Sequence, residues 1–367
     1  MSTDDKNSKN NINKKAKRKS RKLAVTITLL LAVLLTGVLV FKFFIKPPPM
    51  PSAGLHNPTV QNSGKNAEAN TQTPTPEKSG TSDTSSIFGK GGEYHTFVVV
   101  GRDKYGSNTD TIMIVRFDTK NHKINVVSVP RDTLVNIPET NKRVNALYAY
   151  GKLADGNGPK RLMQGLRDIL GFEIGNYVVV DLAAFEQIVD AVGGIKYNVP
   201  VDMHYSDPEQ GLEINLNRGE QLLNGKNALG VVRFRAGYAN ADIGRIATQQ
   251  DFLKTAAKQM LSLGNVPNLP KIINILIKNV ETNLTGSNIA FFAKELLKCK
   301  ADDINFYTLP FDLNPEGIYV LIRISDWLDI VNAHLNPLSD KVTEANVDII
   351  TKVNGQFYST TGKYAGS

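Results

Sequence analysis

Two aspartates and a set of arginines are the residues whose type and spacing carry chemistry in this chain. Asp103 and Asp110 stand seven positions apart in GRDKYGSNTDT, at the two ends of a turn between β-rich runs. Hard carboxylate oxygens at strand ends suit a divalent cation, and magnesium is commonly held by one or two carboxylates plus substrate phosphates. Arg131 and Asp132 follow the next β-rich run in VSVPRDT, Arg233 and Arg235 share VVRFR, and Asp242 and Arg245 open DIGRIATQQ. Of thirteen arginines, ten lie between Arg102 and Arg245, whereas the N-terminal tail and the C-terminal third use mainly lysine. A planar, always-charged fork matches phosphate in a bidentate way, so this local preference points to a phosphate site. If VVRFR is extended, Arg233 and Arg235 project to one side, where two guanidiniums repel unless an anion sits between them. A surface network of salt bridges is the competing reading of the same residues.

Other chemistries have no support. His56, His95, His122, His204 and His334 are scattered without zinc-like spacing, and Cys299 is the single cysteine, which excludes an intramolecular disulfide. No G-x-S-x-G, P-loop or dinucleotide fingerprint occurs.

The elements that must position these groups follow from periodicity. Residues 95–100, 111–117 and 124–129 read as strands, each followed by a charged turn. Residues 144–150 and 159–170 have helical character, with Pro159 placed for a first turn, and 177–180 is a continuous apolar strand. Residues 182–192 form a helix stopped by Gly193 and Gly194. The longest predicted helix, 242–263, carries Ile246, Phe252, Leu253, Ala256 and Met260 on one side and Asp242 and Arg245 in its first turn. Helices at 269–280 and 288–297 follow, then strands at 304–309 and 318–322 and a helix at 326–335. Alternating strands and helices predict an α/β fold, an α+β sandwich whose central sheet is flanked by helices over 92–337. A polar tail, 338–367, is expected to be flexible.

The N-terminal region sets the cellular context. Residues 1–22 hold nine Lys or Arg against Asp4 and Asp5, hence +7 of the formal +8, and the rest of the chain is nearly neutral. That distribution argues against nucleic-acid binding, which needs positive charge on a folded face. Residues 23–41 contain no charge and are close to the roughly 20 needed to cross a bilayer. The run ends in Lys42, Phe43, Phe44, Ile45 and Lys46 rather than in a small-residue cleavage site, so 23–45 reads as an uncleaved anchor. A basic tail retained in the cytoplasm puts everything after it outside. Residues 46–91, rich in Pro, Ser, Thr, Asn and Gly, are expected to be a disordered tether.

Taken together, GRDKYGSNTDT, INVVSVPRDT, KRVNALYAYG, LNGKNALGVVRFR and DIGRIATQQ closely resemble the LytR-CpsA-Psr family of cell-wall ligases, in order and separation. The resemblance implies a magnesium-dependent phosphotransferase, with manganese as an alternative ion and a pyrophosphatase side activity. Such an enzyme moves a glycopolymer, wall teichoic acid or capsule, from a polyprenyl pyrophosphate carrier to peptidoglycan through a phosphodiester link. Carried over by position, Asp103 and Asp110 hold the metal, and Arg131, Arg233, Arg235 and Arg245 bind the pyrophosphate. Asp242 and Gln249 complete the catalytic set, Asp132 supports it, and Asp103 and Asp242 are the carboxylates available as a base. Asn108 and Thr248 stand where the family usually has Arg, so fewer cations surround the phosphates. The carrier's hydrocarbon tail needs an apolar groove, for which the helices at 269–280 and 288–297 are candidate walls. The functional alternatives are a membrane-bound transcriptional attenuator and a non-catalytic polymer-binding protein.

Overall fold

Alternation along the first strands decides the layering. In β1 (Tyr94–Arg102), Val98 and Val100 point to one side of the sheet and Phe97 and Val99 to the other, because successive side chains of a strand face opposite ways. β2 (Thr109–Asp118) and β3 (Lys123–Val129) repeat the pattern and pair antiparallel with their predecessors. In this computed structural model the described residues are 46–50, 54–58, 93–102, 109–209, 211–235, 241–261, 268–314, 317–362 and 364–365, without the side chains of 241–243 and 269. The anchor expected at 23–45 and most of the tether lie outside them. Among the described residues, no helix is long and apolar enough to cross a membrane.

A short 3-10 turn, Val144–Ala146, leads into α1 (Leu147–Asp155) and then α2 (Gly158–Leu170). The Asn157 side chain caps α2 by accepting from the Lys160 amide, and Pro159 sits in its first turn. Gly171 ends the helix at φ 79, a left-handed geometry that glycine adopts without strain. β4 (Asn176–Asp181) pairs parallel to β1, and α3 (Leu182–Ala191) leaves its end. Two hairpin-like pairs follow, β5 (Ile195–Val199) with β8 (Gly219–Leu223), and β6 (Met203–Asp207) with β7 (Leu212–Leu216). α4 (Gly225–Arg233) and α5 (Ala241–Met260) close a satellite core over them, where Tyr197, Val231 and Phe252 are buried.

The rest of the chain completes the main sheet. α6 (Leu269–Asn279), β9 (Val280–Thr282), α7 (Gly286–Leu296) and β10 (Ile304–Thr308) give the order β10-β3-β2-β1-β4-β9. The small pair β11 (Phe311–Leu313) and β12 (Val320–Ile322) precedes α8 (Ile324–Ile330) and a π-helical turn, Val331–Leu335. On one face of the sheet α1, α2 and α8 bury Leu147, Leu166, Ile169 and Trp327 against Val98, Ile114 and Val127. Trp327 is 0% exposed, and its indole N–H donates to the Ile169 carbonyl at 2.7 Å. On the other face Phe292 and Leu296 of α7 and Ala257 of α5 cover Phe97, Phe117 and Val126. The expected mixed α/β sandwich is thus the observed one.

Two expectations are corrected. The segment 338–367, read as a flexible tail, is built into the main core through Val342, Val347 and Ile349. It also forms a hairpin, β13 (Ile350–Val353) with β14 (Gln356–Ser359). Its polar groups, which made it look loose, are paired within the fold: the Val342 carbonyl accepts from the Asn332 side chain of the π-helical turn, and the Thr360 hydroxyl donates to the Val347 carbonyl. Part of the supposed tether is docked as well. Leu55 bridges to Phe172, the His56 amide donates to the Gly171 carbonyl at 2.7 Å, and the His56 ring lies 3.2 Å from Asp168.

Candidate functional site

The ends of β1, β2 and β3 meet the last turn of α4 and the first turn of α5 at one crevice, lined by Arg102, Asp110, Arg131, Arg233, Arg235, Arg245 and Gln249. α5 is held over the strand ends by glutamine staples. Gln250 Nε2 donates to Ser128 Oγ, the Tyr307 carbonyl and Thr308 Oγ1 at 2.8–3.0 Å. Gln249 Nε2 reaches the Val232 carbonyl at 2.8 Å and Thr111 Oγ1 at 3.3 Å, which ties α5 to α4 and β2.

Asp110 is the centre of charge. Its Oδ1 accepts from Arg131 Nη1 at 3.0 Å and from Arg235 Nη2 at 3.1 Å. Burial alone would raise its carboxyl pKa, but the charges of Arg235, Arg131 and Arg245 outweigh it and hold the group below the ordinary 3.8. Asp110 is therefore an anion throughout the working pH range, and both bonds from the arginines fall on one oxygen. Arg245, the fifth residue of α5, is 3% exposed and lines the same crevice. Asp132 lies behind the cluster, 3.2 Å from Arg143 Nε and 3.6 Å from Arg131 Nε, so Arg131 is held from two sides.

The geometry of VVRFR differs from the extended segment that its paired arginines implied. Asn224 caps α4 by accepting from the Asn227 amide, and Ala228, Leu229 and Val231 bury its inner face, so the helix continues to Arg233. Phe234, 3% exposed, then turns the backbone to an extended conformation. Arg233 and Arg235 still reach one crevice, but from a helix end and the residue beyond its cap. Asp103 and Asn108 lie outside the described residues. Asp242 is placed only through its backbone in α5. Thr248 is buried, and its hydroxyl donates back to the Gly244 carbonyl at 3.0 Å.

The arginine crevice continues into an apolar chamber, and the two form one cavity of about 670 Å³. The chamber's walls are apolar: Phe185 and Ile188 from α3 with Val192 at its C-terminal cap, Leu229 and Val232 from α4, and Phe252, Leu253 and Met260 from α5. Among the described residues, those of the helices at 269–280 and 288–297, expected to form such walls, do not line it. α7 is instead spent on the core, where Phe292 packs edge-on to His95 and Phe97 with ring centroids 5.0 and 4.9 Å apart. The apolar side of α5 was the better signal, since a face that lines a chamber carries the same pattern as one that packs.

Sequence reasoning passed over a further group at the far side of β1. Arg102 Nη1 donates to Tyr148 Oη at 3.4 Å, and Tyr148 donates to Glu281 Oε2 at 2.7 Å. Burial, with Glu281 beside it, pushes the Tyr148 hydroxyl up to about 12, so it stays protonated. Asn145 lines the same wall. It is 8% exposed, and its carboxamide oxygen has no hydrogen-bond partner among the described residues.

Comparison with known proteins adds a relationship to this geometry. Residues 57–335 match the LytR_cpsA_psr family. The regulatory protein MsrR of Staphylococcus aureus (strain Mu50 / ATCC 700699) is 36% identical over 200 residues, covering 53% of this chain and 58% of MsrR. The polyisoprenyl-teichoic acid–peptidoglycan teichoic acid transferase TagV of Bacillus subtilis (strain 168) is 32% identical over 181 residues, 48% of this chain and 45% of TagV. The chain thus spans about half the length of these curated relatives. Among solved structures, that of B. subtilis TagV superposes with a TM-score of 0.56 at 24% identity, covering 65% of this chain and 94% of that one. TagT bound to LI-WTA gives 0.51 at 21% identity, over 65% and 88%. At these identities the two structures establish a shared fold.

Proposed function

The chain belongs to the LytR_cpsA_psr family, and from that membership together with the crevice we propose that it is a membrane-anchored extracytoplasmic phosphotransferase. It moves an anionic glycopolymer from a polyprenyl pyrophosphate carrier to peptidoglycan and leaves a phosphodiester link. The observation that carries this reading is the union, in one cavity of about 670 Å³, of an arginine cluster around one ionised carboxylate with apolar walls. A pyrophosphate on a long hydrocarbon tail has the same two halves. The whole cavity also falls within the roughly 300–1,000 Å³ usual for ligand sites.

Phosphoryl transfer is mainly positioning and neutralisation of charge on the transferred group, which clustered arginines supply. Arg131, Arg233, Arg235 and Arg245 take the pyrophosphate in this reading, while Gln249 and Asp132 hold the elements that carry them. Asp110 suits a hard divalent cation: it is ionised, its side chain is 36% exposed, and its Oδ2 makes no hydrogen bond among the described residues. With Asp103 it would hold Mg²⁺, or Mn²⁺, whose contribution is charge neutralisation on the phosphates. The acceptor hydroxyl loses its proton to a carboxylate, for which Asp103 and Asp242 are the candidates. An attenuator or a passive polymer-binding protein would need neither the chamber nor the metal.

The test is binding by the full chain in detergent of three probes: farnesyl pyrophosphate, farnesol and inorganic pyrophosphate. The joined molecule binds far more tightly than either half if crevice and chamber act as one site. Equal affinity for farnesyl pyrophosphate and inorganic pyrophosphate would overturn the reading.

A further inference from the structure

We propose that Arg102 binds a second anionic group of the substrate, a phosphate or carboxylate on the polymer beyond the pyrophosphate, with Tyr148 and Glu281 as its positioning residues. This rests on the reading of the crevice as a site for a pyrophosphate-linked polymer, and it makes Arg102 the residue that distinguishes charged from neutral polymers.

The placement of Arg102 separates it from the main cluster. Asp110 on β2 gathers Arg131, which follows β3, and Arg235, which follows the cap of α4, and it feels the charge of Arg245 on α5. Arg102 ends β1, with Thr109 as its cross-strand partner on β2 and Asp181 on β4. The Asp181 carboxylate is already used, capping α3 through the Ala184 amide at 2.7 Å. Among the described residues the hydrogen-bond partner of Arg102 is Tyr148, whose hydroxyl passes the contact on to Glu281 of the edge strand β9. A cation, a phenol and a carboxylate in series hold the guanidinium in one pose without placing an anion directly on it. Of the five N–H donors of a guanidinium, this contact uses one.

A second polar group shares the wall. Asn145 precedes Tyr148 by three positions in the same helical stretch and also lines the crevice. A covered carboxamide oxygen without a partner carries a desolvation cost that a donor hydroxyl removes. Cation and acceptor side by side match a phosphorylated polyol or sugar, which presents an anionic oxygen next to a hydroxyl. A pyrophosphate alone offers no such hydroxyl.

The experiment uses the full chain in detergent and two donors with the same polyprenyl pyrophosphate and disaccharide, one neutral and one ending in glycerol phosphate. Affinity is titrated for both, and transfer to peptidoglycan oligomers is followed in parallel. The wild type favours the phosphorylated donor by roughly ten- to hundred-fold, the worth of a charge-assisted contact. R102A brings the ratio near one, R102K restores part of it, and R102E inverts it. Y148F and E281Q lower the ratio to intermediate values, as expected for residues that fix the pose. A ratio that survives in R102A, whether or not both affinities fall together, overturns the proposal. If the wild type binds both donors yet transfers neither, the phosphotransferase reading falls, while the binding ratio still decides the role of Arg102.

Discussion

Replacing Asp110 with Asn removes one charge while keeping the shape of the side chain, and its effects separate a working carboxylate from a scaffold. Oδ1 accepts two guanidinium bonds, at 3.0 and 3.1 Å, and Arg245 adds its field. Each bond would contribute about 1.5–3 kcal/mol if fully dry. The carboxylate side chain is 36% exposed and its partners 25% and 38%, so water screens the pairs and the total loss is about 1–2 kcal/mol. That lowers Tm by a few degrees, at roughly 2–4 °C per kcal/mol. Donor binding moves the other way in chelator, because a pyrophosphate no longer competes with Asp110 for Arg131 and Arg235. Metal-dependent transfer is lost in the same variant, since the proposed cation has lost a ligand. Scanning fluorimetry gives the first quantity, and titration of farnesyl pyrophosphate with and without Mg²⁺ gives the second. Metal-free binding that weakens in step with stability would refute the reasoning and reduce Asp110 to a structural ion pair.

Four further outcomes follow from the same geometry. The pKa of Asp110 is depressed, so its ion pairs stabilise the fold above the ordinary carboxylate range and are lost only as pH falls through the lowered value. The Tm gap between wild type and D110N should stay constant from about pH 5 to 8 and close below pH 3.8. R235A should weaken donor binding by about 1.5–3 kcal/mol, with R235K recovering part, and should cost under about 1 kcal/mol of stability, because Arg235 pairs with Asp110 even without ligand. L253D, in the apolar wall, should weaken farnesyl pyrophosphate by about tenfold or more while inorganic pyrophosphate binds as before, since a charge there is costly beside a hydrocarbon chain. Deleting 338–367 removes Val342, Val347 and Ile349 from the core. At about 1.5–3 kcal/mol each this approaches the whole stability of a domain, so the truncated chain should be insoluble or melt far below the full one.

The main sheet was legible because both of its faces are covered, and strands buried on both sides read as apolar runs, as 95–100 and 124–129 do. Charge type was legible too: a preference for arginine survives any arrangement of helices and strands, so Arg131, Arg233, Arg235 and Arg245 stand out in the sequence whatever their geometry. What sequence alone did not show depends on contacts between distant segments. VVRFR alternates well enough to pass for a strand, and only the Asn224 cap and the buried Leu229 and Val231 make it the end of a helix. The C-terminal segment looked loose because its polar groups are satisfied by pairing inside the fold, Val342 with Asn332 and Thr360 with Val347, a property that has no pattern along the chain. Arg102 was overlooked for a similar reason, as its partners lie 46 residues away and beyond. The helices at 269–280 and 288–297, rich in Ile, Leu and Phe, read as groove walls, yet Phe292 serves the core, while a less conspicuous face of α5 lines the chamber.

The central claim is transfer of a polymer from a lipid pyrophosphate to peptidoglycan. The full chain in detergent, incubated with Mg²⁺, a polyprenyl-pyrophosphate-linked anionic glycopolymer and peptidoglycan oligomers, tests it directly by mass spectrometry of the products. The account predicts an oligomer heavier by the polymer and one bridging phosphate, the polyprenyl monophosphate as second product, and loss of both in chelator. Unchanged oligomers beside an intact donor, with the protein folded and the donor bound, would contradict it.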